Sequence, residues 1–348
     1  MGSAAARSLG RRGVPTIALD QFRVGHDRGS SHGPTRIFRL SYPDADYVRM
    51  AQRALPLWRE LEEEAGEELL VTTGGLDAGR TADRCAVALE ECGVAHEWLS
   101  VDDATSRFPG IAADGRVLLQ PDAGVCLAGR TVAAQVRLAA ETGVDVREGV
   151  EVVAVRPDGD RATVETAGGR ISADVAIVTP GAWASALLPD VPVTAAAQTV
   201  TYFRPVDGGA SWPTFIEWSE RGFAWYEVPA AGDAPGVKVA EHRPGPRVDP
   251  VKGPFQPDPE AVDASVDYVR RRFPGLDPEP VSSETCLYEL TPDEDFVLDR
   301  NGPIVIGTGG SGHAFKFTPL LGEILADLAQ GVRPDQSLRR FSVTRFSG

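Results

Sequence analysis

The two ends of the chain carry the same kind of segment, and this limits the available folds more than any other feature. Residues 1–20 (MGSAAARSLGRRGVPTIALD) predict a small-residue helix from Ala4 to Arg12, which Gly13 ends before a short apolar strand that closes on Asp20. Near the other end, GPIVIGTGGSGHAFKFTPLLGEILADLAQG predicts a strand, a glycine-rich turn and a helix. Such units build the parallel sheets that bind dinucleotides. We therefore expect both ends to meet in one discontinuous domain.

The middle of the chain has a different pattern. From about Val193, short aromatic-rich segments alternate with Pro/Gly loops, and a helix from Pro259 to Phe273 interrupts the segments TVTYFRP, TFIEW, FAWYEVP and VKVAEH. This predicts an inserted antiparallel sheet. Elsewhere the spacing predicts helices at 47–65, 82–92 and 132–142 and strands at 149–156 and 162–166. The run ADVAIVTPGAW predicts a continuous buried strand whose end faces a ligand.

Composition excludes several classes of function. With 35 Lys and Arg against 50 Asp and Glu, the net charge is -15, which disfavours nucleic acid and anionic membranes as partners. No apolar run approaches the roughly 20 residues of a membrane-spanning helix, and no signal peptide is apparent, so we expect a cytoplasmic protein. The cysteines show neither a CxxC pair nor metal-ligand spacing, so we expect no metal site and no disulfide framework: Cys85, Cys92, Cys126 and Cys286.

Lysine is scarce, because only Lys238, Lys252 and Lys316 occur among the 35 basic residues. Two of the three lie in sharply patterned segments, GVKVAEH and GSGHAFKF. Burial can shift the pKa of an ammonium, whereas a guanidinium stays charged. The pattern leaves two interpretations open for Lys238 and Lys316, an ordinary surface cation and a buried functional one.

Six segments together resemble the monomeric sarcosine oxidase and N-methyltryptophan oxidase family of FAD-dependent amine oxidases, in the D-amino-acid oxidase superfamily. They are MGSAAARSLGRRG with Asp20, SSHGPTRIFR, TPGAW, GVKVAEH, CLYELTPDEDFVLD and GSGHAFKF. They follow the family's order over nearly the whole chain, and the last three are specific. The resemblance implies an α/β plus α+β fold, in which a discontinuous Rossmann-like FAD-binding domain (1–70, 123–191 and 292–348) holds an antiparallel-sheet substrate domain (71–122 and 192–291).

The resemblance also implies two sets of site residues. The FAD-binding set is Gly2, Asp20, Ser31, His32, Arg36, Gly181, Cys286, Gly312 and His313, with a thioether from Cys286 to the flavin. The catalytic set is Lys238, Arg39, Lys316, His242, Tyr288 and Tyr226. In the family pattern Arg39 and Lys316 grip the carboxylate of the substrate, and Lys238 lies where dioxygen is reduced.

These assignments make physical sense for an amino acid that is oxidised at the carbon next to nitrogen. Its C–H must face the flavin, so its carboxylate needs a fixed anchor, which Arg39 supplies as a bidentate group and Lys316 as a point charge. Dioxygen becomes an anion when it accepts its first electron, and a buried ammonium at Lys238 would stabilise that charge. The expected partners are a small secondary or N-methyl amino acid and O2, the products are an imine and hydrogen peroxide, and we expect a monomer.

The chain departs from the family pattern at its front, where the first strand and the first two glycines are missing ahead of Gly2; we expect a start codon assigned too late. Pro34, Ala314 and Glu241 also differ from the usual residues and leave the identity of the substrate open. Two other functions stay open: a dehydrogenase of the same fold with another electron acceptor, and a truncated, non-catalytic remnant. The tryptophans of the middle sheet, Trp218 and Trp225, suit either an aromatic substrate or the sheet core.

Overall fold

The structure, a computed structural model, describes residues 1–206, 212–218, 224–243, 245–253, 255–334 and 337–346. Its helices are α1 (Gly2–Arg11), α2 (Ala45–Ala65), α3 (Thr81–Glu91), α4 (Val101–Arg107), α5 (Ala128–Glu141), α6 (Ala184–Leu187), α7 (Pro259–Arg272) and α8 (Thr318–Ala329). Among these described helices, none is both long and apolar enough to cross a bilayer.

The strands of the described part of the chain fall into five sheets. In chain order they are β1 (Ile17–Leu19), β2 (Thr35–Phe38), β3 (Leu70–Thr72), β4 (Gly75–Ala78), β5 (Glu97–Leu99), β6 (Val117–Gln120), β7 (Gly124–Leu127), β8 (Asp145–Arg147), β9 (Val152–Asp158), β10 (Arg161–Thr166), β11 (Gly169–Ala173), β12 (Ala176–Val178), β13 (Thr194–Pro205), β14 (Thr214–Trp218), β15 (Ala224–Val228), β16 (Val237–His242), β17 (Leu276–Leu290), β18 (Val297–Asn301) and β19 (Ile304–Thr308).

The two ends of the chain meet, as their sequences predict. Helix α1 packs against α8 and α5, and the approach to α8 is close because a Cβ at Gly322 would lie 2.6 Å from the carbonyl oxygen of Ala4. Strand β1 pairs with β8 in parallel, and β12 pairs with β19 in parallel. Antiparallel pairs complete the smaller sheets, in the orders β12-β19-β18, β9-β10-β11 and β2-β7-β3.

The large sheet has eight strands in the order β17-β13-β16-β15-β14-β4-β6-β5. The expectation of a purely antiparallel sheet is wrong at one junction, since β14 and β4 run parallel and make the sheet mixed. The other neighbours are antiparallel. Phe223, the first residue of the predicted FAWYEVP strand, lies outside the described residues.

Side chains alternate between the two faces of this sheet. Trp225 on β15 stacks on Tyr268 of α7, with ring centroids 4.3 Å apart, and belongs to an apolar cluster with Phe215 and Phe273. We call this side the helix face. The next residue, Tyr226, points to the opposite side, which we call the cavity face. Trp225 is therefore a core residue, which settles one of the alternatives left open for the tryptophans.

The structure differs from the sequence predictions at three places. The strand within ADVAIVTPGAW is only the three-residue β12, and Ala176 and Ile177 are half-buried, so it is not the continuous buried strand expected. Helix α5 begins at Ala128, four residues before the expected Val132. The acid-rich helix α4 was not expected; Ser100 caps it by accepting a hydrogen bond from the Asp103 amide at 3.1 Å.

Candidate active site

A single cavity of about 450 Å³ brings together most of the residues that the sequence singled out. All six residues of the expected catalytic set line it, namely Lys238, Arg39, Lys316, His242, Tyr288 and Tyr226. Six of the nine residues expected to bind the cofactor also line it: Ser31, His32, Arg36, Cys286, Gly312 and His313. The thiol and the two lysines, which come from distant parts of the chain, therefore line the same cavity.

Strand alternation explains part of this convergence. Lys238 and His242 are four residues apart on β16 and point to the cavity face, and Cys286 and Tyr288 are two apart on β17. Nδ1 of His242 lies 3.2 Å from the hydroxyl of Tyr288, within hydrogen-bond distance. The strands β16 and β17, which lie on either side of β13, thus present an imidazole, a phenol, an ammonium and a thiol on one wall.

One end of the cavity, which we call the carboxylate end, holds two cations against one aromatic ring. The guanidinium carbon of Arg39 lies 4.3 Å from the ring centroid of Tyr42, and Nζ of Lys316 lies 5.6 Å from the same centroid. Lys316 Nζ donates a hydrogen bond to the carbonyl of His313 at 2.8 Å. Burial, helped by the charge of Arg39, lowers the pKa of Lys316 well below its usual range. An anion in this end would stabilise both cations.

Another part of the wall, which we call the lysine end, contains Lys238, Arg36, Cys286 and Glu284. The ammonium of Lys238 is 3% exposed and donates a hydrogen bond to the carbonyl of Thr35. Burial, together with the positive charge of Arg36, lowers the pKa of Lys238 to about 7. Burial raises the pKa of the Cys286 thiol, while Arg36 and Lys238 oppose that rise.

Arg36 also shapes the loop that precedes β2. Its guanidinium donates hydrogen bonds to the carbonyl oxygens of Ser30 at 2.8 Å and His32 at 2.6 Å. Nδ1 of His32 lies 2.6 Å from the carbonyl of Gly29. The loop GSSHGPTR is thus held together by hydrogen bonds from its own Arg36. These bonds keep Ser31 and His32 at the cavity.

Burial keeps the histidines of the site neutral. It lowers the pKa of His242 to about 4, with Arg39 and Lys316 acting in the same direction. It also lowers the pKa of His313 well below the usual value, and that of His32 by a smaller amount. The histidines therefore add no positive charge at neutral pH, and the fixed positive charge of the carboxylate end comes from the guanidinium of Arg39.

Three expected cofactor residues lie outside the cavity lining: Gly2, Asp20 and Gly181. Gly2 opens α1, and a Cβ there would lie 2.7 Å from Oγ1 of Thr179, so the helix start adjoins the TPG turn. Gly181 has φ +55°, a value that glycine tolerates best. Asp20 follows β1, and its carboxylate accepts a hydrogen bond from the amide of Phe22 at 2.8 Å.

The structure adds residues that sequence reasoning missed. Tyr42 has both cations near its ring, and Asp77 lies 3.7 Å from Nη1 of Arg39. Glu284 and Glu289 also line the cavity. A signal for Asp77 existed, because GGLDAG places one acid in an otherwise apolar strand. A signal for Tyr42 was weaker, since it is only one of several polar residues after Arg39.

The model of the DAO family of FAD dependent oxidoreductases matches residues 1–328. The chain belongs to this family. Among the relatives of this FAD-dependent oxidoreductase, monomeric sarcosine oxidase of Streptomyces avermitilis is 35% identical, over 94% of this chain and 91% of that protein. N-methyl-L-tryptophan oxidase of Salmonella heidelberg is 32% identical, over 100% of this chain and 96% of that protein.

A solved structure agrees in fold. A point mutant of NikD, an unusual amino acid oxidase essential for nikkomycin biosynthesis, superposes with a TM-score of 0.87 at 26% identity. The match covers 98% of this chain and 93% of that one. The chain therefore has the mixed α/β fold of the DAO-type flavoenzymes.

The cavity of this oxidoreductase suits a flavin nucleotide. Two buried polar atoms of residues that line it have no hydrogen-bond partner among the described residues: Ser30 Oγ and Arg39 Nη1. Buried polar atoms are normally satisfied, so these atoms indicate a polar ligand. The cations at Arg36 and Lys238 add positive charge that would suit a group with phosphates and with a ring that becomes negatively charged on reduction.

Proposed function

We propose that the protein is an FAD-dependent oxidase of small secondary or N-methyl amino acids, with sarcosine as the reference substrate. In the reaction the C–N bond is oxidised to an imine and O2 is reduced to H2O2. The observation that carries the proposal is the shared cavity, in which Arg39 and Lys316 lie near one ring while Lys238 and Cys286 line another part of the wall. The sarcosine and N-methyltryptophan oxidases among the relatives support the same chemistry.

We further propose that residues 1–70, 123–191 and 292–348 form a discontinuous Rossmann-like FAD-binding domain. The parallel pairs β1–β8 and β12–β19 and the packing of α1 on α8 support this division. The other segments, 71–122 and 192–291, form the substrate domain. Its support is that every strand of the large sheet comes from those two segments.

FAD, when bound, supplies the two-electron acceptor and passes the electrons on to oxygen. Ser31, His32 and Arg36 would lie beside it, and we propose that Cys286 carries it as a thioether. Gly2, Gly181 and Asp20 would then belong to the nucleotide end, because α1 and the TPG turn adjoin each other outside the cavity.

The side chains that line the cavity would bind the substrate, orient its amine and stabilise charge on oxygen. Arg39 would bind the substrate carboxylate with two parallel N–H donors, and Lys316 would add a point charge. His242 and Tyr288, which lie within hydrogen-bond distance of each other, would orient the amine on the facing wall, with Tyr226 closing the space beside them. Lys238 would stabilise the negative charge that develops on oxygen.

The test is to incubate the purified protein with sarcosine and with N-methyl-L-tryptophan and to measure oxygen uptake and hydrogen peroxide together. Equal amounts of both are expected from an oxidase. A protein that reduces a dye with the same substrates but consumes little oxygen would instead be a dehydrogenase. If no amine substrate reduces bound FAD, the proposal fails.

The thioether has its own test. Acid precipitation should leave a yellow pellet from the wild-type protein and a colourless one from Cys286→Ala. Cys126→Ala is the matched control, since Cys126 is also buried and free but lies on β7 outside the cavity lining. A yellow pellet from Cys286→Ala would contradict the attachment site.

A further inference from the structure

Asp77 is a buried acid that the proposed reaction does not use. It lies on β4, is 2% exposed, and points to the cavity face while its neighbour Leu76 joins the apolar cluster of the helix face. Its Oδ2 accepts a hydrogen bond from the hydroxyl of Ser41 at 2.5 Å, and its Oδ1 accepts one from the indole N–H of Trp218 at 3.1 Å. An indole N–H can only donate; burial raises the pKa of Asp77, and the charge of Arg39 together with the hydrogen bonds from Ser41 and Trp218 opposes that rise and favours the ionised carboxylate.

Arg39 lies next to this carboxylate without bonding to it. Its Nη1 is 3.7 Å from Oδ1 of Asp77, and that nitrogen makes no hydrogen bond to any described residue. The guanidinium is placed by two rings, because its carbon lies 4.3 Å from the centroid of Tyr42 and 5.2 Å from that of Trp218. The cation is therefore held in position and electrically compensated, while a donor stays available for another acceptor.

We propose that Asp77 is the resting counter-ion of Arg39 and competes with the carboxylate of the substrate for its guanidinium. This inference rests on the proposed function, since it assigns Arg39 to the substrate acid. With no acid bound, Asp77 spares the protein an uncompensated buried cation. When an acid binds, Asp77 subtracts from the attraction of Arg39 and Lys316, so that affinity is moderate and the anionic product can leave.

Asp77 is thus a positioning residue. Its negative charge and the hydrogen bond that it accepts from Trp218 should have separate effects on ligand affinity. Asp77→Asn keeps an oxygen that accepts from Trp218 and removes the charge. Arg39 then stays in place without its counter-ion. A ligand carboxylate binds more tightly, because the negative charge of Asp77 no longer weakens its attraction to the guanidinium. Asp77→Ala removes both the charge and the acceptor, so Trp218 and Arg39 lose their fixed positions. The two substitutions should change affinity in opposite directions, which a merely structural role would not do.

The experiment titrates FAD-loaded protein with acetate, a carboxylate that cannot be oxidised, and follows the flavin absorbance. Asp77→Asn should bind acetate about tenfold more tightly than wild type, and Asp77→Ala more weakly. Thermal unfolding with and without acetate supplies a second measurement: acetate should raise the Tm of Asp77→Asn by more than that of wild type. Asp83→Asn is the matched control, because Asp83 pairs with Arg116 on the surface.

Equal or weaker acetate binding by a folded Asp77→Asn overturns the proposal. If Asp77→Asn does not fold, Ser41→Ala decides. That variant frees Asp77 to approach Arg39, so acetate should bind two- to threefold more weakly, and tighter binding contradicts the inference. Failure of the proposed function is seen separately, in the wild-type protein. A wild type that neither binds acetate nor oxidises an N-methyl amino acid refutes both, whereas an active wild type with an unchanged Asp77→Asn refutes only the counter-ion.

Discussion

The two faces of the large sheet contain buried charge of very different kinds. At the cavity face, Lys238 of β16 and Arg39, which follows β2 and packs over this face, both line the cavity, and Nη1 of Arg39 has no hydrogen-bond partner among the described residues. On the helix face, the cation is Arg272, which is fully engaged: its Nε donates to Glu217 at 2.9 Å, and it also pairs with Asp114 at 2.5 Å. Buried cations that lack full pairing beside a cavity indicate a binding or catalytic site. A buried cation that is paired with two carboxylates indicates a structural role.

The largest effect is expected for Lys238→Met on the cavity face. If its ammonium stabilises negative charge on oxygen, reoxidation of the reduced protein by O2 should slow by about 10² to 10³-fold. Reduction by substrate should change by less than about threefold, because the ammonium is already held by the carbonyl of Thr35, apart from the carboxylate end. Stopped-flow measurement of the two half-reactions gives both rates. Lys252→Met, at an exposed lysine, is the control, and equal slowing of both half-reactions would contradict the role.

The next largest effects are expected from two arginine substitutions, one beside each face of the sheet. Arg39→Gln should raise the KM for sarcosine by about 30- to 100-fold, since a charged contact of this kind contributes about 2 to 3 kcal/mol, and should leave FAD bound. Arg272→Gln should leave KM unchanged and lower the free energy of unfolding by about 2 kcal/mol, because Glu217 and Asp114 lose their partner. Steady-state kinetics and urea unfolding on both variants check the pair. A change in KM from Arg272→Gln would break the distinction between the faces.

Glu227 is the exception on the helix face. It is fully buried between the neighbouring strands, and neither of its carboxyl oxygens has a hydrogen-bond partner among the described residues. Burial raises its pKa well above the ordinary value. Glu227→Leu should therefore stabilise the protein by about 1 to 3 kcal/mol at neutral pH without changing activity.

The sign of the pH dependence at Glu227 follows from that raised pKa. Glu227 ionises above about pH 4.3 in the unfolded chain, whereas it stays protonated in the folded chain. The free energy of unfolding of the wild type therefore falls as pH rises above about 4.3. The advantage of Glu227→Leu should grow between pH 5.5 and pH 8 in urea unfolding. Glu97→Leu, at an exposed position, should show no such growth. A loss of stability in Glu227→Leu would mean that the carboxyl group has a favourable role.

Much of the cavity face could be predicted from the sequence, and the reason is local. The period of two along VKVAEH and CLY puts Lys238 with His242, and Cys286 with Tyr288, on common faces before any pairing is known. The same rule separates Trp225 from Tyr226, although the sequence does not say which of the two faces the cavity. The resemblance to a known family supplied that choice for Tyr226.

The single acid in GGLDAG is visible in the sequence, but the partners of Asp77 and the junction that positions it could not be predicted in this way. Its partner Trp218 is 141 residues away, and the two meet because β4 and β14 pair in parallel with Ile216 opposite Asp77. Strand pairing over such a distance leaves no local trace in the sequence. The same junction turned the expected antiparallel sheet into a mixed one, so one non-local contact accounts both for the error in the fold and for the missing member of the site.

The smallest expected effect is the pH dependence of the lysine end, and it tests whether the low pKa of Lys238 matters. Burial and Arg36 lower that pKa to about 7, and only the protonated form can stabilise negative charge on oxygen. The rate constant for reoxidation should therefore fall by up to about tenfold as pH rises from 6 to 8. His242, with a pKa near 4, stays neutral throughout and cannot produce the change. Lys238→Met should give a flat profile, and a slope that persists in this variant would assign the titration to another group.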